Sequence, residues 1–413
     1  MIKKFVSLLV TLAVIIFSII ALFLSGFFTS RKPSSKQVDS EIQTIASEPQ
    51  ESIEVPPLGF PSGEGNVIFD SGVSYSGQWN DYMMEGIGEL QYPGIGSYNG
   101  SFSESKKNGE GTFTWENGDS YQGFFEQDAI EGNGTYTFAN GRVLSGVFHD
   151  GTFVEGTDTY SDDNTNIIVY FKNSTIDSAE IIWRDGTSYS GEANEAGFNG
   201  EGVLSFPNGD IYQGNFRNGL RNGVGKYSWE NGDEYSGEWL DDKMNGIGKY
   251  VFSSGEYISG SFLQNTFVHG DYVVNNESGE YKIQVAEDGK TTLQFTLIDG
   301  TKYSGDYQEG HATGTATIEY ASGDTYSGDV IDALKSGSGT YKWSDGSKYT
   351  GSWENDQMNG EGTYYYSDSP RKLVGTFNNN LPVGECQYYT TTILYYGTTW
   401  ENGECIKVTE YAQ

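Results

Sequence analysis

The chain has 413 residues, a formal net charge of −33, 56 glycines and 30 tyrosines, but only nine prolines and two cysteines. The 15% aromatic content excludes a simple disordered acidic chain, and glycine falls far short of the one residue in three that collagen requires. Two cysteines cannot form the framework of a disulfide-rich protein of this length. The length alone suggests several domains, unless an internal repeat accounts for it.

The first predicted element is an apolar segment from Phe5 to Phe28 that contains no charged residue. As a helix it would be roughly 36 Å long, which is enough to span a bilayer. It is longer than the apolar region of a cleaved signal peptide, so we expect an uncleaved transmembrane anchor. Basic residues lie on both sides of it, and the short tail of residues 1–4 favours a single-pass topology with the remainder exported.

Residues 29–58 are rich in Ser, Glu and Pro and show no periodicity, which predicts a flexible linker. The five basic and five acidic residues that precede residue 59 cancel. The net charge of −33 therefore belongs entirely to residues 59–413.

A 23-residue repeat begins after the linker. Tyr75-Ser-Gly-Gln-Trp79 recurs as Tyr98-Asn-Gly-Ser-Phe102 and Tyr121-Gln-Gly-Phe-Phe125. Most units continue with Gly-x-Gly and then with a glycine typical of a turn. Units with the same register start at Tyr189, Tyr212, Tyr235, Tyr303, Tyr326 and Tyr349. We number the positions of each unit from its starting residue.

A longer period of 114 residues relates Tyr75, Tyr189 and Tyr303. Each set of three units is followed by an altered unit that starts with an aliphatic residue, at Leu144, Ile258 and Leu373. The array of about twelve units thus forms three blocks, 75–188, 189–302 and 303–413. The first two altered units carry strand-like inserts, at 167–171 and 281–285.

Alternation within each unit predicts two short strands. One side of each strand carries glycines and aromatic rings, and the other carries mostly polar residues. Asn-Gly and Asp-Gly pairs favour tight turns between antiparallel strands. We therefore predict an all-β protein, an elongated antiparallel meander of some 25 strands whose single layer curls over its aromatic face, preceded by one transmembrane helix.

The pattern Tyr-x-Gly-x-Trp/Phe, Gly-x-Gly and turn glycine resembles the MORN repeat (membrane occupation and recognition nexus). The resemblance covers residues 61–413. It implies a non-catalytic scaffold or adaptor, with lipid binding, partner binding and self-association as the roles found in the family. The acidic charge argues against binding of anionic lipid by the repeats and against nucleic acid, since both are polyanions.

No constellation of unlike residues indicates catalysis, and we expect no enzyme, cofactor or metal. The histidines His149, His269 and His311 have no partners at metal-ligand spacing. The cluster Asp162-Asp163-Asn164 is interpreted as a turn rather than a calcium loop. The acidic residues that follow turn glycines (Asp119, Asp210, Asp233, Asp324) are interpreted as solvated turn residues.

Cys386 stands at the second glycine position of the last unit, and Cys405 follows near the end of the chain. If the repeats are exported, a disulfide between them would close the C-terminal strands. A pair of free thiols is the alternative.

Rings at the first and fifth positions of the units are the candidate binding groove, because a curled single layer can leave its aromatic face open. They are Tyr75, Trp79, Tyr98, Phe102, Tyr235, Trp239, Tyr349 and Trp353. The alternative is that these rings form the core.

The sequence thus favours a membrane-anchored scaffold that binds a protein partner through an aromatic groove, with the repeats outside the cytoplasm. The second hypothesis is a cell-surface carbohydrate-binding module, because stacked Tyr and Trp also suit sugar rings.

Overall fold

The structure is a computed structural model, and it describes residues 61–367, 369–391 and 395–410. The predicted anchor at 5–28 and the linker at 29–58 lie outside the described residues. Within the described part, every regular element is a β-strand, and no helix there is long and apolar enough to cross a membrane.

The described strands belong to one 31-stranded antiparallel sheet in which consecutive strands pair as a meander. This confirms the predicted all-β antiparallel meander. There are more strands than the roughly 25 expected, because each insert of an altered unit forms strands of its own and the chain adds further strands at either end.

The chain divides into two compact units. The first comprises residues 61–230 with 239–242. Its strands are β1 (Ser62–Ile68), β2 (Ser74–Asn80), β3 (Met83–Tyr92), β4 (Gly96–Ser103), β5 (Lys106–Trp115), β6 (Ser120–Glu126), β7 (Ala129–Thr137), β8 (Val143–His149), β9 (Thr152–Ser161), β10 (Thr165–Lys172), β11 (Thr175–Trp183), β12 (Ser188–Asn194), β13 (Gly197–Ser205), β14 (Ile211–Arg217) and β15 (Leu220–Ser228).

The second unit comprises residues 231–238 with 243–410, and β16 (Glu234–Leu240) contributes residues to both units. Its further strands are β17 (Lys243–Val251), β18 (Tyr257–Leu263), β19 (Thr266–Asn276), β20 (Gly279–Val285), β21 (Thr291–Leu297), β22 (Lys302–Asp306), β23 (Gly314–Glu319), β24 (Thr325–Ile331), β25 (Leu334–Lys342), β26 (Lys348–Glu354), β27 (Gln357–Tyr365), β28 (Lys372–Asn378), β29 (Leu381–Tyr389), β30 (Tyr395–Glu401) and β31 (Glu404–Glu410).

Two kinds of turn alternate along the meander. The predicted Asn-Gly turns hold the chain between units, as at Asn117-Gly118, where the Asp119 N–H donates to the Asn117 side chain at 2.9 Å. Between the two strands of a unit the turn is a residue pair with positive φ, such as Asp81 and Tyr82 at 47° and 63°. Such pairs match the twist of antiparallel strands.

Glycines form rows that cross the strands. In the first compact unit, residues 61–230 with 239–242, the register places Gly77 opposite Gly88, Gly88 opposite Gly100, and Gly100 opposite Gly111. The row continues in the same way to Gly156 on β9. Because the paired glycines have no side chains, they leave a channel above the backbone where the row crosses the strands. The starting tyrosines of the repeats fill this channel.

Candidate functional site

All eight rings predicted to line the groove are buried, and none exposes more than 6% of its surface. They pack edge to face from one unit to the next. The Tyr98 ring, for example, lies 5.1 Å from the Phe102 ring and 4.9 Å from the Phe125 ring of the following unit. These rings are therefore the core of the repeats and not an open surface.

The starting tyrosine of a clean unit, with the exception of Tyr303, lies over two glycines of the row. A Cβ added to Gly100 would meet the Tyr98 hydroxyl, and a Cβ added to Gly111 would meet both the Tyr98 ring and its hydroxyl. A register shift between Gly100 and Phe102 makes a β-bulge at Ser101, and the Tyr98 hydroxyl donates to the Ser101 carbonyl at 3.0 Å. Ring, glycine pair and bulge thus form one unit of packing.

The same arrangement recurs at the other clean units. Hydroxyls of Tyr75, Tyr212, Tyr235, Tyr326 and Tyr349 donate to the carbonyl three residues later at 2.7–3.1 Å. This explains why the predicted groove is absent at these rings: the glycines leave room for the ring against the backbone, and the ring occupies it.

The unit that starts at Tyr303 departs from this arrangement. Ala316 stands where the other units have the second glycine, and the Tyr303 hydroxyl is buried without a hydrogen-bond partner. Three nearby tyrosines on the same stretch, Tyr272, Tyr281 and Tyr307, also have buried hydroxyls without partners. The stretch around the second insert is therefore where the repeat packing is least complete.

The tenth residue of a unit is buried among the rings, and it is a cation in three units: Lys107, Arg221 and Lys335. The Lys335 ammonium lies 5.5 Å from the Tyr341 ring centre and 5.4 Å from that of Trp353. The Arg221 guanidinium lies 4.6 Å from the Trp239 ring centre. Aromatic faces attract cations, and this attraction offsets part of the cost of their burial.

A turn residue of the next unit matches the charge at this tenth position. Where the tenth residue is cationic, its backbone N–H donates to an aspartate: Lys107 to Asp128, Arg221 to Asp242, Lys335 to Asp356. Where it is methionine, the acceptor is neutral: Met84 uses Ser105, Met244 uses Asn265, Met358 uses Asn380. The interior thus has two interchangeable pairs, cation with aspartate and methionine with a neutral acceptor.

We expect the double variant Lys335→Met with Asp356→Asn to have a free energy of unfolding within about 1 kcal/mol of the wild-type value, because it recreates the Met244–Asn265 pair. Asp356→Asn alone keeps the acceptor for the Lys335 N–H but leaves the ammonium, 3.0 Å from the carboxylate in the wild type, without its countercharge. That single variant is expected to lose about 2 kcal/mol in urea unfolding. Equal loss in the single and double variants would contradict the charge-matching interpretation.

Two of the four turn aspartates are buried, which corrects their interpretation as solvated turn residues, and Asp233 and Asp324 are half-buried. Asp119 and Asp210 are buried, and each accepts two bonds from the next unit. The Asp119 carboxylate accepts the Tyr136 hydroxyl and the Ala139 N–H, both at 2.8 Å. Asp233 and Asp324 repeat the arrangement with Tyr250 and Tyr341. These residues recur because each fastens one turn to the next.

The histidines and the Asp162 cluster do not form a metal site in the described part of the chain. His149 Nδ1 lies 3.0 Å from Glu131, whose carboxylate raises the histidine pKa, and His311 Nδ1 lies 2.6 Å from Asp332. The Asp162 carboxylate accepts the N–H groups of Asn164 and Thr165, both at 2.7 Å, so it closes a turn.

Of the two alternatives for Cys386 and Cys405, a disulfide or a pair of free thiols, the structure has the free thiols. Cys386 lies on β29 opposite Thr398, and Cys405 lies on β31 opposite Trp400, with β30 between them. Two strand spacings are about 10 Å, beyond the Cα separation that a disulfide bridges. Cys386 does occupy the glycine row, with its sulfur over Gly375.

Thiol labelling is expected to separate the two cysteines. Cys405 is exposed and should react with iodoacetamide in the folded chain, whereas Cys386 is 4% exposed and burial raises its pKa. Mass spectrometry without reduction should find one alkylated residue before urea is added and two afterwards. A peptide that joins both cysteines would contradict this expectation.

Comparison with known proteins agrees with the repeat. The family profile for the MORN repeat matches residues 75–94, 98–120, 121–141, 195–211, 212–234, 235–257, 326–348 and 349–371. No curated protein matches the chain.

Two solved structures show a weak likeness. A catalytically inactive virginiamycin B lyase from Staphylococcus aureus with quinupristin is 10% identical, over 66% of this chain and 94% of its own, with a TM-score of 0.11. A streptogramin B lyase is 13% identical, over 61% and 92%, with a TM-score of 0.12. Scores this low support no statement about the present chain. Its own sequence does, because eight segments of the chain match the MORN-repeat profile.

Proposed function

We propose that the chain is a membrane-anchored, non-catalytic scaffold that holds a protein partner on the exposed face of its repeats. Residues 5–28 would provide the anchor and residues 29–58 the spacer. The repeats themselves supply a surface of similar residues presented many times, and MORN repeats are typically non-catalytic.

The observation that carries this proposal is the division of each strand between two faces. One face, here called the ring face, is filled by the buried aromatic residues. The opposite face, here called the open face, carries the polar side chains of the alternation. A partner therefore has the open face available to it, and not the groove of rings that the sequence suggested.

Phe124 and Val147 are the apolar positions of the open face that best suit a protein partner. They occupy the fourth position in two consecutive repeat units, and each is 37% exposed. Their cross-strand neighbours are Glu110 and Asn133. An apolar pair with a polar surround is the usual composition of a protein contact, with the anchor residues at its centre.

The charge of −33 favours a partner with a basic surface around an apolar centre. It opposes binding of anionic lipid or nucleic acid by the sheet as a whole.

Site-directed photo-crosslinking tests this proposal. A photoreactive phenylalanine analogue at position 124 of the full chain should give a discrete protein adduct in cells, and Phe124→Asp with Val147→Asp should abolish co-purification of that protein. Ile298→Asp, at an apolar residue that is 86% exposed, is the matched control and should keep the partner. Retention of the partner by the double variant would overturn the proposal.

We also propose that the repeats face away from the cytoplasm, with residues 5–28 as the membrane anchor. Protease added to intact cells should then digest the repeats. Full protection would place them in the cytoplasm.

Carbohydrate binding is the second candidate function. Its original form, stacking of sugars on the unit rings, has no support, since Trp239 and Trp353 are buried. A different set of residues, on the open face of the second compact unit, favours carbohydrate binding.

A further inference from the structure

We propose that the open face of the second compact unit, residues 231–238 with 243–410, binds an acidic polysaccharide along one row of lysines and tyrosines. The row consists of Lys342, Lys348, Tyr365, Lys372, Tyr389 and Tyr395, here called the lysine–tyrosine row. The proposal is independent of the protein partner proposed above, because it uses different residues.

The register brings these residues together on consecutive strands. Lys342 on β25 lies opposite Lys348 on β26, and Lys348 lies opposite Tyr365 on β27. The row continues through Lys372 on β28, Tyr389 on β29 and Tyr395 on β30. No stretch of sequence shows this row, because its members are separated by whole strands.

The packing of the row holds the ammonium groups close to the sheet. The Lys348 ammonium lies 4.4 Å from the centre of the Tyr365 ring, and the Lys372 ammonium lies 4.5 Å from that of Tyr389. The Tyr389 and Tyr395 rings lie 5.1 Å apart. The Lys348 and Lys372 ammonium groups therefore each lie against a tyrosine ring, and each ammonium carries three N–H donors.

The charge of the row is unusual for this chain. Lysines directly opposite each other on neighbouring strands repel, yet Lys342 and Lys348 form such a pair in a protein with 24 basic and 57 acidic residues. In the described part of the chain, neither these two nor Lys372 forms an ion pair with a carboxylate. An anion bound between the Lys342 and Lys348 ammonium groups would attract both and so offset their repulsion.

The repeat does not require these residues. The equivalents of Lys342 and Lys348 in the first block are Thr114 and Ser120, which also lie opposite each other. In the second block they are Ser228 and Glu234. Since the hairpins form without lysines there, the positive row is an addition of the third block and not a need of the fold.

The neighbouring row on the same face provides hydroxyl groups. Thr340 lies opposite Thr350, and Thr350 lies opposite Thr363, with 3.0 Å between the first two Oγ1 atoms. The surface therefore presents, side by side, a line of cations with tyrosines and a line of hydroxyls. Sugar carboxylates match the first line, and sugar hydroxyls match the second.

The spacing favours an extended polymer over a compact ligand. Neighbouring strands are about 4.8 Å apart, so Lys348 and Lys372 are roughly 10 Å apart along a straight line. That spacing suits a linear chain of uronic acids, which carries a carboxylate on each ring. An anionic lipid surface would instead have to approach the acidic remainder of the sheet.

The test is binding of the full chain, in neutral detergent, to immobilised polygalacturonate by biolayer interferometry. The triple variant Lys342→Gln, Lys348→Gln, Lys372→Gln should bind at least about tenfold more weakly, since its charge contacts are lost, while the triple exchange to arginine should keep most of the affinity. The matched control is Lys249→Gln. It removes a lysine whose ammonium lies 3.9 Å from the Tyr257 ring centre, outside the lysine–tyrosine row, and it should leave binding unchanged.

Further measurements keep the outcome decisive. The triple glutamine variant should unfold in urea no earlier than wild type, because it removes repulsion from an exposed face. Absence of polygalacturonate binding, or equal binding by the triple variant, would overturn the proposal. Equal or tighter binding of polyglutamate, or of soluble short-chain phosphatidylserine, would also overturn it, in favour of an acidic protein segment or a lipid headgroup.

Discussion

Replacing Gly111 with alanine is expected to lower the free energy of unfolding by about 3 kcal/mol, because the added methyl overlaps a buried ring. A Cβ on Gly111 would lie 2.5 Å from the Cε2 and Cζ atoms of Tyr98, and closer still to its hydroxyl. The Tyr98 ring has no exposed surface and is held by Phe102 and Phe125, so it cannot move aside. Urea unfolding and hydrogen exchange of β4 to β6 measure the loss.

The double variant Gly111→Ala with Tyr98→Leu separates this overlap from a general effect of glycine loss. All three nearest neighbours of the added methyl belong to Tyr98. Leucine at position 98 should therefore remove most of the cost of the alanine, leaving a coupling of about 2 kcal/mol between the two changes. The altered unit that starts at Leu144 shows that the fold accepts an aliphatic residue there. Strictly additive losses would contradict the ring-on-glycine packing.

The repeat period and the alternation predict the strands, the Asn-Gly turns and the side on which the rings lie. They do not predict whether that side is open. Tyr98 and Phe102 share a face in any strand, but their burial depends on the bulge at Ser101, which lets the tyrosine lie flat and reach a carbonyl. A bulge of this kind is a property of two paired strands, so one strand's sequence does not reveal it.

The candidate surfaces were hidden from the sequence for the same reason. Lys342 and Lys372 are thirty residues apart and share a row only through the register of four strands. The pairing of Lys335 with Asp356 had a signal that could have been found, since the tenth residue and the turn residue of the next unit change together. Comparison of units position by position, including positions that vary, would have found it.

The repeats are expected to be stable through pH 9 and to unfold cooperatively above about pH 10, because buried tyrosines lose their protons only when the fold opens. Desolvation by burial raises the pKa of Tyr75 and of Tyr349 to about 12, and it raises the pKa of Tyr98, Tyr212, Tyr235 and Tyr326 in the same direction.

Stability falls as the pH rises, because the folded state buries these tyrosines in their neutral form. Below the unfolded pKa of about 10, both states keep the proton and stability is complete. Above it the unfolded chain ionises first, so each buried tyrosine removes about 1.4 kcal/mol of stability per pH unit until its folded pKa is reached. The six tyrosines together would remove about 8 kcal/mol per pH unit, comparable with the whole stability of an ordinary domain.

Absorbance of tyrosinate at 295 nm and circular dichroism, recorded together on the full chain, test this expectation. The two signals should change in one transition, and a sample in concentrated urea should titrate earlier, near pH 10. Tyr349→Phe should move the transition upward, because the variant keeps the ring over Gly351 and Gly362 and loses one ionisable hydroxyl. Ionisation of all tyrosines near pH 10 with an unchanged dichroism spectrum would mean that the rings are open to solvent, and the groove that the sequence suggested would then have to be reconsidered.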